Sequence, residues 1–372
     1  MKKIVYMDAA ASWLKPQSVI ESEIDFLTNR YANAGRGVCE RAMAVDNAIS
    51  YARAFVADFI GAKPENIVWT SGATDGLNRI VNLVTSQSWY RPDSIFAVSD
   101  LDHHSARLPW ENLLNHGKIG QERVCELDEK FNIKTDSIPK TDFLVITAMS
   151  NVLGVAQDVG AIVRAARAKN PNVITIVDAS QYVAHNKIDV TKWDCDFLVF
   201  SGHKIGADTG VGVLYIREVE KWWPDKFGGG MINKISDESR LILNKAPEKF
   251  EAGTLPLTQI CGMPNAIKSL SDWDGAVDLI HYMYDELSKI DKIKIITARD
   301  ACMIDFYIEG MHSLDFGALM GAHGMCLRVG NMCASWIHKK IGLDGSIRLS
   351  VGPWNTMDEA EYVTSLIRNT VK

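Results

Sequence analysis

A lysine placed just after an apolar run is the residue with the clearest chemical potential in this sequence. Residues 196–215 read DFLVFSGHKIGADTGVGVLY, and the apolar run ends at Ser201, before His203 and Lys204. Such a run, bounded by polar residues, is typical of a buried strand and would bring the amine to the mouth of a core. A desolvated lysine amine has a lowered pKa and can attack a carbonyl to form a Schiff base. The alternative is a lysine in a surface loop between two hairpin strands.

A candidate anion site lies at residues 71–74, where NIVWTSGATDGLNRIVNLV changes from a strand pattern to a helix pattern. Backbone amides at the start of a helix lack intrahelical acceptors, so Ala73 and Thr74 could cradle a phosphate. For this turn taken alone, an ordinary helix N-cap is the simpler explanation.

Two more polar groups follow apolar runs. Asp178 and Gln181 end NVITIVDASQ, and His103-His104 follow SIFAVSD. A buried carboxylate needs a cation or several donors, and a protonated pyridine nitrogen would satisfy Asp178; the alternative is an aspartate that caps the next turn. His103 could stack on an aromatic ring or act as a general acid. A metal site at the histidine pair is not supported, because no acidic or cysteine residue lies at ligand spacing from it.

Together these groups describe a pocket for pyridoxal phosphate: an anion cradle, a stacking imidazole, an acid for a ring nitrogen and an amine for an aldehyde. Each lies at the end of a predicted strand. In parallel α/β sheets, ligands collect at the carboxyl ends of the strands, so we expect the four groups to meet.

The elements that position these groups are short apolar strands alternating with helical patterns, which predict a mostly parallel sheet with helices on both faces. Helices are predicted at residues 16–29 and 42–60, the second ending at Gly61. After KFEAGTLP, one long helix at residues 257–289 and strands near IKIIT, MIDFYIE and SIRLSV are predicted. We therefore expect a large domain at 16–255, a small α+β domain at 256–372, and an N-terminal arm, 1–15, packing on the small domain.

Composition excludes several classes of protein. The 372 residues carry a net charge of -6, which gives no basic footprint for direct contact with nucleic acid. Seven cysteines without CxxC pairs argue against a disulfide framework or a zinc site and favour a reducing cytoplasm. An acid interrupts the N-terminus before an apolar signal segment could form, and no run approaches the ~20 apolar residues of a membrane span.

Nearly the whole sequence resembles the cysteine desulfurases of the class V aminotransferase group, and in particular the type with a short active-site loop. The stretches that carry the resemblance are YMDAAAS, TSGATDGLN, DHHSARLPW, SNVLG, VDASQ, DFLVFSGHK, FEAGT, RVGNMCA and IRLSVGPWNT. The resemblance implies an α/β fold of the pyridoxal-phosphate-dependent transferase type I, with a seven-stranded type of sheet and a homodimer.

The resemblance also assigns roles to residues. Lys204 would be the Schiff-base lysine. Around the ring, Asp178 would bind the nitrogen, Gln181 the hydroxyl, and His103 would stack on the face. The phosphate would be bound by Ala73, Thr74, Ser201 and His203, and by Thr254 from the partner subunit. Asn151 would lie beside substrate and cofactor, Arg348 would hold the substrate carboxylate, and Arg328 would lie near the mobile loop.

Cys333 matches the family's nucleophile. A buried structural cysteine is the default for a single Cys, but LRVGNMCASW is a glycine-containing segment after an apolar run, which favours a loop. The implied reaction converts L-cysteine to L-alanine and leaves a persulfide on Cys333 for a sulfur-acceptor protein. The alternatives are a C–S or selenocysteine lyase without an enzyme persulfide, and a non-catalytic scaffold of the same fold.

Three segments depart from the family pattern. GRGVC keeps Arg36 and Gly37 but has Cys39 at a usual histidine position, GADTG replaces a Gly-Pro-Thr-Gly turn, and GNMC lacks the histidine that often precedes the nucleophile. These changes bear on the acceptor and on rate control more than on the core reaction.

Overall fold

The computed structural model describes residues 4–35, 37–238, 240–271 and 273–371, so Arg36 of the GRGVC segment lies outside the described residues. The helices of eight or more residues are α1 (Gln17–Asp25), α2 (Glu40–Ile60), α3 (Ala73–Thr85), α4 (His104–Asn115), α5 (Val159–Lys169), α7 (Leu257–Ser269), α8 (Val277–Leu287), α9 (Ser313–Ala322) and α11 (Met357–Val371), with shorter helices α6 (Val190–Trp193) and α10 (Ser335–Lys340). The strands are β1 (Val5–Tyr6), β2 (Ile67–Thr70), β3 (Ile95–Ser99), β4 (Gln121–Cys125), β5 (Phe143–Thr147), β6 (Ile174–Asp178), β7 (Phe197–Ser201), β8 (Gly212–Ile216), β9 (Ile232–Ile235), β10 (Leu241–Leu243), β11 (Ile293–Ile295), β12 (Ile304–Ile308), β13 (Met325–Cys326), β14 (Arg328–Gly330) and β15 (Ser346–Leu349).

The large sheet has seven strands in the order β2-β8-β7-β6-β5-β3-β4. From β7 through β4 each neighbouring pair is parallel, and β8 runs antiparallel to both β7 and β2. The predicted mostly parallel sheet is therefore confirmed. Its parallel strands all end at one edge, which is where the predicted site residues lie.

Helices cover both faces of this sheet. Successive residues of β5 alternate between two cores: Phe143 and Val145 pack with α3 and α4, whereas Leu144 and Ile146 pack with α2, α5 and α7. Every residue of β5, β7 and β8 is buried. Strands buried on both faces read as continuous apolar runs, which is why the sequence showed no alternation there.

The predicted helix ends have different outcomes. The helix predicted at 16–29 is the α-helix Gln17–Asp25 followed by a π-helix at Phe26–Arg30. The predicted stop of α2 at Gly61 is confirmed, since this residue adopts a left-handed φ of 72°. The predicted single helix at 257–289 is wrong: α7 ends at Ser269 and α8 begins at Val277. Between them Gly275 has a φ of 82°, and Trp273 packs edge-on against Trp13 at 5.3 Å. Backbone geometry and a tertiary contact thus interrupt a pattern that is helical on both sides.

The C-terminal region contains a four-stranded antiparallel sheet in the order β11-β12-β15-β14, packed with α8, α9 and α11. The N-terminal arm contacts the same region, since β1 and β13 form a separate two-stranded parallel sheet and Asp8 bridges to Ser350. The division at residue 256 stays a prediction, and α7 packs with the core of the large sheet. In the described part of the chain, no helix combines the length and apolar character needed to cross a membrane.

Candidate active site

A cavity of about 620 Å³ lies at the carboxyl ends of the parallel strands. It brings together most of the residues that the sequence predicted for a cofactor. Its lining consists of Ala73, Thr74, His103, Ser105, Thr147, Met149, Asn151, Asp178, Ser180, Gln181, Ser201, His203 and Lys204.

Lys204 lies in the single helical turn Gly202–Lys204 that follows β7. Its Nζ donates a 2.5 Å hydrogen bond to the backbone carbonyl of Ala10 in the N-terminal arm. The pKa of the Lys204 amine is lowered to about 7, mainly by burial and in addition by the positive charge of Arg348, while Asp178 opposes the shift. An amine with this pKa is partly neutral near pH 7, so it can act as a nucleophile or as a base.

Asp178 ends β6 and is only 4% exposed. Its Oδ1 accepts hydrogen bonds from the backbone N–H and the hydroxyl of Ser180, at 3.0 and 2.6 Å. None of the described residues donates a hydrogen bond to its Oδ2. A buried carboxylate with one free oxygen facing a cavity is suited to hold a protonated ring nitrogen. Gln181 lines the same wall, and its amide donates to the Ala10 carbonyl at 2.7 Å.

His103 is the N-cap residue of α4, and Ser105 fixes its orientation. The Nδ1 of His103 accepts from the backbone N–H of Ser105 at 3.1 Å and lies 3.0 Å from its hydroxyl. We infer from this bond that the proton of the neutral ring is on Nε2. Burial lowers the pKa of His103, which favours the neutral ring. The Ser105 hydroxyl also lies 2.7 Å from Oγ1 of Thr74 and so joins His103 to the predicted anion cradle.

The anion cradle depends on two glycines. A Cβ on Gly212 would lie 2.5 Å from the Cα of Gly72, so only glycine allows β8 to approach the start of α3 this closely. Because of this close approach, the Ser201 hydroxyl accepts a 2.8 Å hydrogen bond from the backbone N–H of Ala73. His203 borders the same cavity, and burial lowers its pKa to about 4, so its ring is neutral there.

The donors in this cavity fit pyridoxal phosphate. A helix start suits the phosphate, because the first backbone N–H groups of a helix lack intrahelical acceptors. Asp178 suits the ring nitrogen, and a lysine with a lowered pKa suits the aldehyde. His103, the residue expected to stack on the cofactor ring, also lines the cavity. Ser105 and the carbonyl of Ala10 were not predicted, although the DHHS and YMDAAAS motifs contain them. Ser105 orients other side chains and Ala10 acts through its backbone, so neither gives a signal of its own in the sequence.

The two predicted substrate arginines share one acid. Oδ1 of Asp8 lies 3.2 Å from Arg348 and Oδ2 lies 2.9 Å from Arg328. Arg348 is only 2% exposed, and its second amino group donates to the backbone carbonyl of Asn151 at 2.6 Å. Its Nε is buried without a hydrogen bond. An acid that pairs with both arginines was not predicted, although Asp8 belongs to a matching motif.

Cys333 is exposed in the four-residue loop 331–334, which joins β14 to α10. Met332 and Cys333 have φ values of 50° and 55°, a left-handed conformation that costs a residue other than glycine roughly 1–2 kcal/mol. The side-chain amide of Asn151 donates to the carbonyl of Met332 at 2.8 Å. The loop prediction is confirmed, and the strain has to be balanced by contacts such as this one.

Thr254 does not join the cavity within one chain. It is exposed and lines a separate cavity of about 1410 Å³, together with Arg53 and Glu251. Arg328, Arg348 and Cys333 lie outside the cavity lining but connect to it through Asp8, Asn151 and the loop described above.

Comparison with known proteins agrees with this geometry. Residues 5–363 match the family described as Aminotransferase class-V. A probable cysteine desulfurase of Borreliella burgdorferi is 32% identical over 393 residues, which cover 100% of this chain and 92% of that protein. A cysteine desulfurase of Escherichia coli is 31% identical over 382 residues, which cover 98% and 93% of the two chains.

The same likeness holds in three dimensions. The apo structure of the cysteine desulfurase from Thermococcus onnurineus NA1 superposes with a TM-score of 0.91 at 28% identity, covering 99% of this chain and 94% of that one. The predicted type I fold is therefore confirmed. With a family match across nearly its whole length, the chain belongs to the aminotransferase class-V family, whose members use pyridoxal phosphate.

Proposed function

We propose that this protein is a cysteine desulfurase that converts L-cysteine to L-alanine and leaves a persulfide on Cys333. The observation that carries the proposal is the placement of two complementary groups around one cavity. Lys204 supplies an amine with a pKa near 7, and Cys333 supplies an exposed thiol on a loop bonded to the cavity residue Asn151.

The chain's own residues divide the work. Pyridoxal phosphate, when bound, would supply an electron sink for the Cα of the amino acid substrate. Asp178 would stabilise a proton on the ring nitrogen, because a buried carboxylate is stabilised by a cation. Ala73, Thr74, Ser201 and His203 would hold the phosphate.

Lys204 moves protons at the substrate. Its amine, when neutral, takes the Cα proton. Asn151 lines the cavity, and its backbone carbonyl accepts a hydrogen bond from Arg348. Arg348 therefore lies next to the cavity, and we assign it to the substrate carboxylate, with Arg328 as the neighbouring arginine. The buried Nε of Arg348 without a partner supports this assignment.

Cys333 takes the sulfur. Its thiolate attacks the substrate sulfur, so that a new S–S bond forms as the C–S bond breaks and its electron pair returns to the carbon skeleton. The skeleton then takes up protons and leaves as L-alanine. The exposure of Cys333 allows the terminal sulfur to pass to an acceptor protein.

The test compares two exposed cysteines. Cys333→Ala should keep the cofactor absorbance and form no protein persulfide with L-cysteine, as measured by mass spectrometry of the intact chain. Cys39→Ala, at the other exposed cysteine, should behave as the wild type. Normal persulfide formation by Cys333→Ala would exclude Cys333 as the nucleophile, and sulfide release without any persulfide would favour a lyase.

A homodimer is part of the proposal. Thr254 is exposed at a second cavity, and the neighbouring β9-β10 hairpin exposes Ile235 and Leu241 at 62% and 57%. A partner subunit would cover these side chains and could receive Thr254 at its phosphate. Light scattering should give twice the chain mass, whereas an active monomer would contradict this arrangement.

The four-residue loop at Cys333 supports the type with the short active-site loop, and the seven cysteines, all free, support action in a reducing cytoplasm. The sulfur acceptor is expected to be a protein, since Cys333 lies at the surface. Trapping the persulfide form and capturing the protein that takes up labelled sulfur tests this part.

A further inference from the structure

We propose that His104 is a positioning residue that holds Cys333 at the cavity by capping the turn after it. The proposal rests on the desulfurase function, because it concerns the same thiol. It gives a role to the second histidine of the DHHS motif, which neither the cofactor site nor the predicted substrate site uses.

His104 contacts the chain at Cys333 and again two residues later, at Ser335. Its backbone N–H donates to the carbonyl of Cys333 at 2.7 Å. Its Nε2 accepts the backbone N–H of Ser335 at 3.2 Å and lies 3.0 Å from the Ser335 hydroxyl. One residue therefore holds the carbonyl of the nucleophile and the first N–H of α10.

Neighbouring contacts reinforce the same junction. The ring of Trp336 packs edge-on against His104 at 5.3 Å, and the guanidinium of Arg107 lies 4.2 Å from the centre of that indole. Lys340 forms an ion pair with Asp100 at 3.0 Å. All these partners of α10 come from the end of β3 and the first two turns of α4.

The loop needs such support. Met332 and Cys333 both adopt left-handed φ values that free chains rarely populate. Inside the loop, Asn331 accepts the N–H of Cys333 at 3.1 Å. Without external bonds the chain would relax to ordinary φ values, and the thiol would leave its position.

His104 also follows His103 directly. The imidazole that faces the cofactor cavity and the imidazole that caps the nucleophile turn are therefore fixed by one helix start. The cavity lining at His103 and the backbone of Cys333 are thus connected through one helix start.

The acceptor role requires a neutral imidazole. Burial lowers the pKa of His104, and the carboxylate of Glu111 opposes that shift. A neutral ring keeps the Nε2 lone pair available for Ser335.

The experiment uses the holoenzyme and two readouts. Hydrogen exchange of the peptide spanning residues 328–340 reports on the loop without reference to activity. The rate of persulfide formation with L-cysteine, and the cysteine concentration at half-maximal rate, report on the reaction.

His104→Ala should speed exchange of the Ser335 amide and slow persulfide formation about fivefold, equivalent to about 1 kcal/mol for a lost N-cap. Half-saturation by cysteine and the cofactor absorbance should stay near wild type. His104→Gln should restore both rates, since its Oε1 can reach the position of Nε2. His312→Ala, at a histidine that caps α9 and does not line the cavity, is the matched control and should change neither rate.

Ser335→Pro is a second route to the same test. It removes the N–H that His104 accepts, and proline is tolerated in the first turn of a helix. It should reproduce the slow persulfide formation even if His104→Ala fails to fold.

Unchanged exchange in both His104→Ala and Ser335→Pro would overturn the proposal, as would faster exchange without slower persulfide formation. If the wild type forms no persulfide at all, the desulfurase function fails instead. In that case the exchange data alone still decide whether His104 holds the loop.

Discussion

The amine of Lys204 donates a 2.5 Å hydrogen bond to the backbone carbonyl of Ala10. The amide of Gln181 donates to the same carbonyl at 2.7 Å. A residue without a functional side chain thus orients two groups of the cavity. The N-terminal arm, whose strand β1 pairs with β13 of the C-terminal region, thus contacts two residues that line the cavity.

Attachment of pyridoxal phosphate to the apoprotein should depend on pH through Lys204. Only the neutral amine attacks an aldehyde, and the folded pKa of about 7 is below the usual value of 10.5. The attachment rate should rise about tenfold per pH unit below pH 7 and level off above it. Absorbance after rapid mixing measures the rate. Lys204→Ala should give no covalent attachment, and a rate still rising steeply above pH 9 would contradict the lowered pKa.

Gly212→Ala should weaken cofactor binding about tenfold or more. Its Cβ would lie 2.5 Å from the Cα of Gly72, and forcing a methyl group into a tight contact costs roughly 1–3 kcal/mol. The cradle would shift away from Ser201. An absorbance titration of the apoprotein gives the affinity.

Gly321→Ala is the control for that substitution. It lies in α9 with no atom within 4 Å of the added Cβ. Equal affinities for the two variants would show that the Gly72–Gly212 approach does not shape the cradle.

Asp8→Asn should destabilise the protein by about 3 kcal/mol or more. Asp8 pairs with the buried Arg348, and removal of one partner from a buried ion pair typically costs 3–5 kcal/mol, because the remaining charge is uncompensated. Urea unfolding measures the loss. Asp285→Asn removes an exposed pair with Arg299 and should cost much less. Similar losses in the two variants would mean that Arg348 does not depend on Asp8.

Asp305→Asn should gain stability relative to the wild type as the pH rises. Asp305 is fully buried opposite Arg348 on β15, neither of its oxygens has a hydrogen bond, and burial raises its pKa to about 8. Between about pH 4 and 8 the folded wild type holds a proton that the unfolded chain releases, so its stability falls with pH. Asparagine does not titrate.

The expected slope of the difference is at most about 1.4 kcal/mol per pH unit within that window. Urea unfolding of both proteins at several pH values between 5 and 8 gives the slope. A difference that stays constant with pH would show that Asp305 does not hold its proton.

Much of the fold and most of the cavity could be predicted from sequence. The strands β2, β3, β5, β6 and β7 are short and mostly apolar, and polar residues at or after their ends converge on one cavity. The long helix at 257–289 could not be corrected from the pattern, because Gly275 and the packing of Trp273 on Trp13 interrupt it. Thr254 could not be tested within a single chain, since it faces a different cavity.

By itself the sequence determined which side chains carry chemistry, because apolar runs and the residues after them are local features. Lys204 and Asp178 were recognised in this way, whereas Cys333 was recognised from its match to the family motif. Only the tertiary structure decided how those groups are held. The contacts of Lys204 with Ala10, of Arg348 with Asp8 and of His104 with Ser335 join residues 194, 340 and 231 positions apart. Hydrogen bonds act between atoms that folding brings within about 3 Å, and no pattern along the chain records that proximity.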